Sequence, residues 1–259
     1  MKESHVTPQT SKSNSMCRRL SANGAKNKFD VLRLDRVLRF GPISIRLSHM
    51  NLGQSEEFRM TLETEAGSYG VDLSPEMLDR LVKYYELLNE WNPRLHLVAP
   101  TSSREFATRH VLESLLLLNY LPRNARIADV GPGAGLPSIP CLIARPDIKA
   151  VLIESSKKKA IFLREAITQI KISDSVSVLA ERFENVTTPD VGFVTCRALE
   201  RFEETVPQLI KWAPDDAVFL FFGGEGLRES IENLEFTAQL IPNSQKRFLY
   251  VAKNQNRNP

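Results

Sequence analysis

Three glycines at alternate positions follow a short apolar run in Arg126-Ile-Ala-Asp-Val-Gly-Pro-Gly-Ala-Gly-Leu136. Ile127, Ala128 and Val130 read as a buried parallel strand with Asp129 near its end. Gly131, Gly133 and Gly135 tolerate positive φ and let a ligand approach the backbone. Past Leu136 the apolar pattern lengthens toward a helix. Strand, glycine loop and helix make the nucleotide-binding corner of a doubly wound sheet; the alternative is a tight turn without a ligand. A dinucleotide fingerprint requires glycine at the first, third and sixth places, but here Leu136 holds the sixth and Gly135 the fifth. Helix N-termini attract phosphate, yet Pro137 removes a donor where a pyrophosphate would need one. A ligand without phosphate, such as S-adenosylmethionine, fits better than NAD. A second apolar run, Ala150-Val-Leu-Ile-Glu154, ends in a carboxylate 23 positions after Gly131. A carboxylate there can accept both ribose hydroxyls, unless it is a solvated strand-end charge.

Arg197 directly follows a further strand in Thr195-Cys196-Arg197, which places it at the carboxyl edge of the sheet, where ligands bind. A guanidinium stays protonated and offers five donors, so its role would be to orient an anionic group, either an RNA phosphate or a cofactor carboxylate. Lys157, Lys158 and Lys159 open a helix beside the second strand, as a phosphate contact or as a solvated basic turn. The four histidines (His5, His49, His96, His110) are scattered, which argues against a metal site. No serine-nucleophile elbow and no ATP-binding P-loop occurs. Cys17, Cys141 and Cys196 have no C-x-x-C spacing and read as free thiols in a reducing compartment, which points to the cytoplasm. No apolar run is long enough to span a membrane.

These residues need elements to position them. Ser74 is a candidate N-cap with Pro75 at the first helical position. Leu78, Leu81, Val82, Tyr85 and Leu88 follow at helical spacing, and Pro93 is expected to stop the helix. A second helix opens at Ser102, with Glu105 completing a capping box; Phe106, His110, Val111, Ser114, Leu115 and Leu118 form its inner face. Beyond the glycine loop come a helix from Ser156 to Lys171, with Ile161, Phe162, Ala166 and Ile170 on one side, and strands at 176–180 and 191–196. A helix through Val206, Leu209 and Ile210, a strand at 217–222, a helix at 225–234 and strands at 236–241 and 247–252 complete the series. Alternating β and α implies an α/β fold with a mainly parallel, Rossmann-like sheet; the last two strands are expected to form an antiparallel hairpin.

The 259 residues, 42% of them hydrophobic, suffice for one such domain with an appendage. Charge is uneven: residues 1–59 hold 11 Lys+Arg against 5 Asp+Glu, and the remainder holds 23 against 26. Residues 1–73 are therefore read as a basic leader, its first part polar and disordered. Phe29 to Leu47 interleaves Arg33, Arg36, Arg39 and Arg46 with apolar residues. That stretch is open to reading as an RNA-touching amphipathic element, an organelle transit peptide or a flexible tail, or as untranslated if synthesis starts at Met50 or Met60. Residues 74–124 form a helical cap, 125–253 the core and 254–259 a tail.

The ordered set Glu90-Trp91-Asn92, Arg109-His110-Val-Leu-Glu-Ser114, Asp129 to Pro137 with Ile139-Pro140, Glu154-Ser155, Arg182-Phe183-Glu184 and Cys196-Arg197-Ala198 resembles the small-subunit ribosomal RNA methyltransferase G family (RsmG, also called GidB) from about residue 74 to 253. The resemblance implies a class I methyltransferase fold, S-adenosylmethionine as cofactor, and N7 methylation of a guanine in the decoding region of 16S rRNA in the small ribosomal subunit. It implies that Gly131, Leu136, Phe183, Glu184 and Arg197 lie at the cofactor, joining Asp129, Gly133, Gly135 and Glu154 from the loop reading. Arg109, Lys157 and Lys158 are candidates for the RNA side, and Phe221, Phe222 and Trp212 for base stacking or core packing. No general base is expected, Arg197 serving only to orient. Where the family has Lys-Gly after the fifth strand, this chain has Gly223-Gly224, and Asp is replaced by Glu113 and Glu154. The alternatives are a methyltransferase-fold RNA-binding or assembly protein without turnover, and a methyltransferase acting on another substrate.

Overall fold

The computed structural model describes residues 43–197 and 202–254. The basic stretch of residues 1–42, Cys17 and His5 lie outside the described residues, as do Ala198 and residues 255–259. Helix α1 spans Ile43–Glu65 and runs into a short 3-10 turn, Ala66–Tyr69. Helix α2, Pro75–Leu95, is capped by the Ser74 hydroxyl, which accepts from the Met77 N–H. Pro93 stands within its last turn, and the helix ends on His96, which takes the left-handed conformation. A third helical stretch, α3, covers residues 103–119 and widens to a π-helix over Phe106–Leu112. Ser102 caps it by accepting from the Glu105 N–H. The Glu105 carboxylate pairs with Arg109.

The expected boundary at residue 74 is corrected by α1. Phe58 and Leu62 have no exposed surface, and Ala66 and Tyr69 are buried with them. The Phe58 ring stacks on Tyr85 of α2 with centroids 4.4 Å apart and contacts Phe106 of α3 at 6.0 Å. Ser55 donates to Glu86 on α2 at 2.8 Å. Positions 55, 58, 62, 66 and 69 follow the three-and-four spacing of one helix face, between exposed Glu56, Glu57 and Gly53. The cap therefore consists of three helices, and part of the presumed leader belongs to its core.

Five parallel strands follow: β1 Arg126–Val130, β2 Lys149–Ile153, β3 Val176–Leu179, β4 Phe193–Arg197 and β5 Val218–Gly223. The apolar runs of β1, β2, β4 and β5 suit strands covered on both faces, whereas β3 at the sheet edge is only half-buried. β6 Leu234–Leu240 and β7 Phe248–Asn254 form the expected antiparallel hairpin, with β7 inserted beside β5 to give the order β3-β2-β1-β4-β5-β7-β6. Helices α4 Ser138–Ala144 and α5 Lys157–Gln169 join the cap in one apolar cluster, where Trp91 of α2 meets Phe162 of α5 at 5.9 Å. Helices α6 Phe202–Trp212 and α7 Leu227–Ser230 contribute Val206, Leu209 and Leu227 to a second cluster. Two expectations change. The 225–234 helix is reduced to α7, and Ile161 lies outward, 55% exposed, because α5 buries Ala160, Phe162 and Leu163 instead.

Candidate functional site

The strand order reverses between β1 and β4, and at that switch point the carboxyl ends of neighbouring parallel strands part to leave a crevice. A cavity of about 770 Å³ occupies it, within the range of small-molecule sites. Gly131 and Gly133 line it from the loop, Glu154 and Ser156 from the end of β2, Arg182, Phe183 and Glu184 from the turn after β3, and Thr205 and Gln208 from α6.

The loop starts where the Gly131 N–H bonds to the Ile153 carbonyl at 2.9 Å, and it turns tightly because Gly135 and Leu136 both donate to the Pro132 carbonyl, at 2.8 and 3.1 Å. Gly131, Gly133 and Gly135 have φ of +69°, +53° and +92°. Their reasons differ. A Cβ on Gly133 would meet nothing within 4 Å, so its bare backbone leaves room in the cavity, whereas one on Gly135 would lie 2.3 Å from Ile139 Cδ1. Gly135 is thus required by close packing of the loop on α4, and Leu136 is buried in the core; neither lines the cavity among the described residues.

Glu154, only 5% exposed, joins the two halves of the site. Its Oε2 accepts from the Gly133 N–H at 3.0 Å and its Oε1 from the Ser156 N–H at 2.8 Å. A carboxylate has about four lone-pair positions, so two remain for a ligand's hydroxyls. Asp129, expected at the cofactor, is fully buried beneath the loop instead. Its Oδ2 accepts from the Ser138 hydroxyl at 2.6 Å, Oδ1 has no partner, and burial pushes its carboxyl up to about 8. Asp129 supports the loop from below.

Phe183 is buried against the edge of Trp212 at 5.7 Å, and the indole N–H donates to the Val186 carbonyl at 2.8 Å. Glu184 is held by Arg182 at 2.8 Å, which keeps its carboxyl below the ordinary range. Phe221 and Phe222 are buried in the sheet and the half-buried Trp212 packs on Phe183, so all three serve as packing residues.

Arg197 is placed differently from expectation. Its guanidinium points to α3, donating to the carbonyls of Arg109 and His110 and to Ser114 Oγ, and pairing with Glu113 Oε2 at 3.2 Å. It also lies over the Phe222 ring at 5.3 Å. Glu113, 2% exposed, bonds Arg247 on its other side at 2.5 Å. A buried carboxylate left without cations would be costly; that need turns Arg197 away from the cavity, and the widened π-turn presents it two carbonyls. Burial, with Arg197 and Arg109 nearby, lowers His110 to about 4. Arg109 is half exposed and Lys157 and Lys158 are exposed at the start of α5, outside the cavity, while Lys159 lines it. Residues missed by sequence reasoning include Ser156, Glu181, Glu204, Thr205 and Gln208; the N-cap pattern at Ser156 was the available signal. Cys141 and Cys196 are buried free thiols. Among the described residues no cluster of three or more potential metal ligands occurs, and no helix is long and apolar enough to cross a membrane.

The cavity presents four carboxylates, Glu154, Glu181, Glu184 and Glu204, against Lys159 and Arg182. That balance suits a cationic nucleoside, and with the bare Gly133 backbone it fits S-adenosylmethionine. Fold and site together define a class I S-adenosylmethionine-dependent methyltransferase with an N-terminal helical cap. The family model for "GidB: rRNA small subunit methyltransferase G" matches residues 77–258, and the chain belongs to that family of small-subunit rRNA methyltransferases. Among its relatives, the ribosomal RNA small subunit methyltransferase G of Neisseria gonorrhoeae (strain NCCP11945) is 34% identical over 58% of this chain and 72% of its own length. The corresponding protein of Nitrosococcus oceani is 35% identical over 66% of this chain and 80% of its own.

Proposed function

We propose that this chain transfers a methyl group from S-adenosylmethionine to N7 of a guanine in the decoding region of 16S rRNA, in the cytoplasm. The observation that carries the reading is the Glu154 carboxylate, bonded to both the glycine loop and the start of α5 while facing the cavity. When bound, the cofactor supplies an electrophilic methyl on a sulfonium. Guanine N7 has an in-plane lone pair and no proton to lose, so the protein's work is alignment and exclusion of water. Gly131 and Gly133 would admit the cofactor against the backbone, Glu154 would accept its ribose hydroxyls, and Phe183 and Glu184 would close its far side. Arg197 orients rather than contacts: it fixes α3 to the end of β4. Arg109, Lys157 and Lys158 are proposed to meet RNA phosphates, a role that suits their exposure.

The test is incubation of undermethylated small subunits with methyl-labelled cofactor, followed by nucleoside analysis. The expected label is in 7-methylguanosine. Protein that binds cofactor and leaves the subunits unlabelled would overturn the proposal in favour of a binding protein without turnover.

A further inference from the structure

We infer that Tyr84, carried on helix α2 of the cap, is a positioning residue for methyl-donor binding, because its hydroxyl holds the glycine loop in its ligand-binding shape. The inference rests on assigning the cavity to S-adenosylmethionine. Tyr84 has no exposed surface, and its hydroxyl donates to the carbonyl of Ala134 at 2.7 Å, across 50 positions of sequence. Ala134 stands between Gly133 and Gly135, both at positive φ. A loop flanked in this way has few steric barriers of its own to peptide rotation.

The hydrogen bonds supply what sterics do not. In the peptide unit joining Ala134 to Gly135, the N–H donates to the Pro132 carbonyl at 2.8 Å and the carbonyl accepts from Tyr84. Both ends of that unit are therefore fixed. One residue earlier, the Gly133 N–H is held by Glu154 at 3.0 Å. The loop is gripped from β2 by a carboxylate and from the cap by a phenol. Without Tyr84, the buried Ala134 carbonyl would lose its donor and the loop could seek another arrangement. Burial pushes the Tyr84 phenol far above its ordinary range, so it remains a donor at working pH.

The neighbouring residue provides an internal control. Tyr85 is also buried on α2, but its hydroxyl donates to Ser103 Oγ at 3.1 Å, within the cap. Tyr84→Phe and Tyr85→Phe each delete one buried hydroxyl and keep the ring, and both should lower Tm modestly. Calorimetric titration of the full-length protein with S-adenosylmethionine should show Tyr84→Phe binding roughly three- to tenfold more weakly, the range a neutral hydrogen bond supports. Tyr85→Phe should bind as the wild type does. Turnover at saturating cofactor should persist in Tyr84→Phe, so the loss falls in KM rather than kcat. Wild-type affinity in Tyr84→Phe, or equal weakening in both variants, would overturn the positioning role. A wild-type protein that does not bind the cofactor would instead sink the cavity assignment itself.

Discussion

Glu154→Gln tests the site most directly, because one side chain is asked to do two separable things. Its carboxylate accepts from Gly133 and Ser156 at 3.0 and 2.8 Å in a setting only 5% exposed. Glutamine has a similar shape but one acceptor oxygen, so its NH₂ must face one of the two backbone donors. A hydrogen bond to a charged group is worth roughly 1.5–3 kcal/mol. Losing one should lower the Tm of the ligand-free protein by roughly 3–12 °C, at about 2–4 °C per kcal/mol for a chain of this size. On the ligand side, the acceptors offered to ribose hydroxyls also weaken. A further loss of similar size corresponds to roughly ten- to hundredfold in affinity for S-adenosylmethionine. Thermal melting without cofactor, then calorimetric titration with it, reads the two effects apart. A lowered Tm with unchanged affinity would leave Glu154 as a loop staple and remove it from the ribose site; no change in either would refute the reasoning entirely.

Deleting residues 1–59 should destabilise the protein, because it removes Phe58, fully buried against Tyr85; the single change Phe58→Ala should cost about 3–5 kcal/mol in chemical denaturation, and an unchanged midpoint would show that α1 is dispensable. The Asp129 carboxyl is raised to about 8 by burial, so the folded chain keeps a proton that the unfolded chain releases above about 4. Its contribution is full below about pH 4 and lost as pH climbs toward 8, on the order of a few kcal/mol. Tm measured against pH should therefore move in favour of Asp129→Asn between pH 5 and 8, and parallel curves would contradict the assignment. Arg197→Lys should lower Tm and slow methyl transfer with little change in cofactor affinity, since an ammonium cannot serve the Arg109 and His110 carbonyls and Glu113 together; a large affinity loss at unchanged Tm would return Arg197 to the cofactor. Gly223→Lys should destabilise rather than merely add a cation, since a Cβ there would lie 2.8 Å from Leu227 Cδ2, and a denaturation midpoint equal to the wild type would show that Leu227 gives way freely.

Local patterns sufficed where local geometry decides. The glycine spacing, the Ser74 and Ser102 caps and the apolar runs of β1, β2, β4 and β5 depend on backbone sterics and on burial of both sheet faces, and each is written within a few consecutive residues. Glu154 was legible for the same reason, as a carboxylate ending a strand. Side-chain direction was not. Whether Asp129 faced the cavity or the interior, whether Gly135 made room for a ligand or for Ile139, and whether Arg197 turned to the cofactor or to Glu113 depended on neighbours up to 84 positions away. The face formed by Phe58, Leu62, Ala66 and Tyr69 had helical spacing but stood among charges, and only packing on Tyr85 and Phe106 gave it a place in the core. Tyr84 carried no motif; its role exists because folding brings a cap hydroxyl to a loop carbonyl 50 residues away. Sequence alone determined the backbone frame and the class of ligand it admits. The tertiary structure decided which side chains line the cavity, because a buried polar group must find its partner in space, at any distance along the chain.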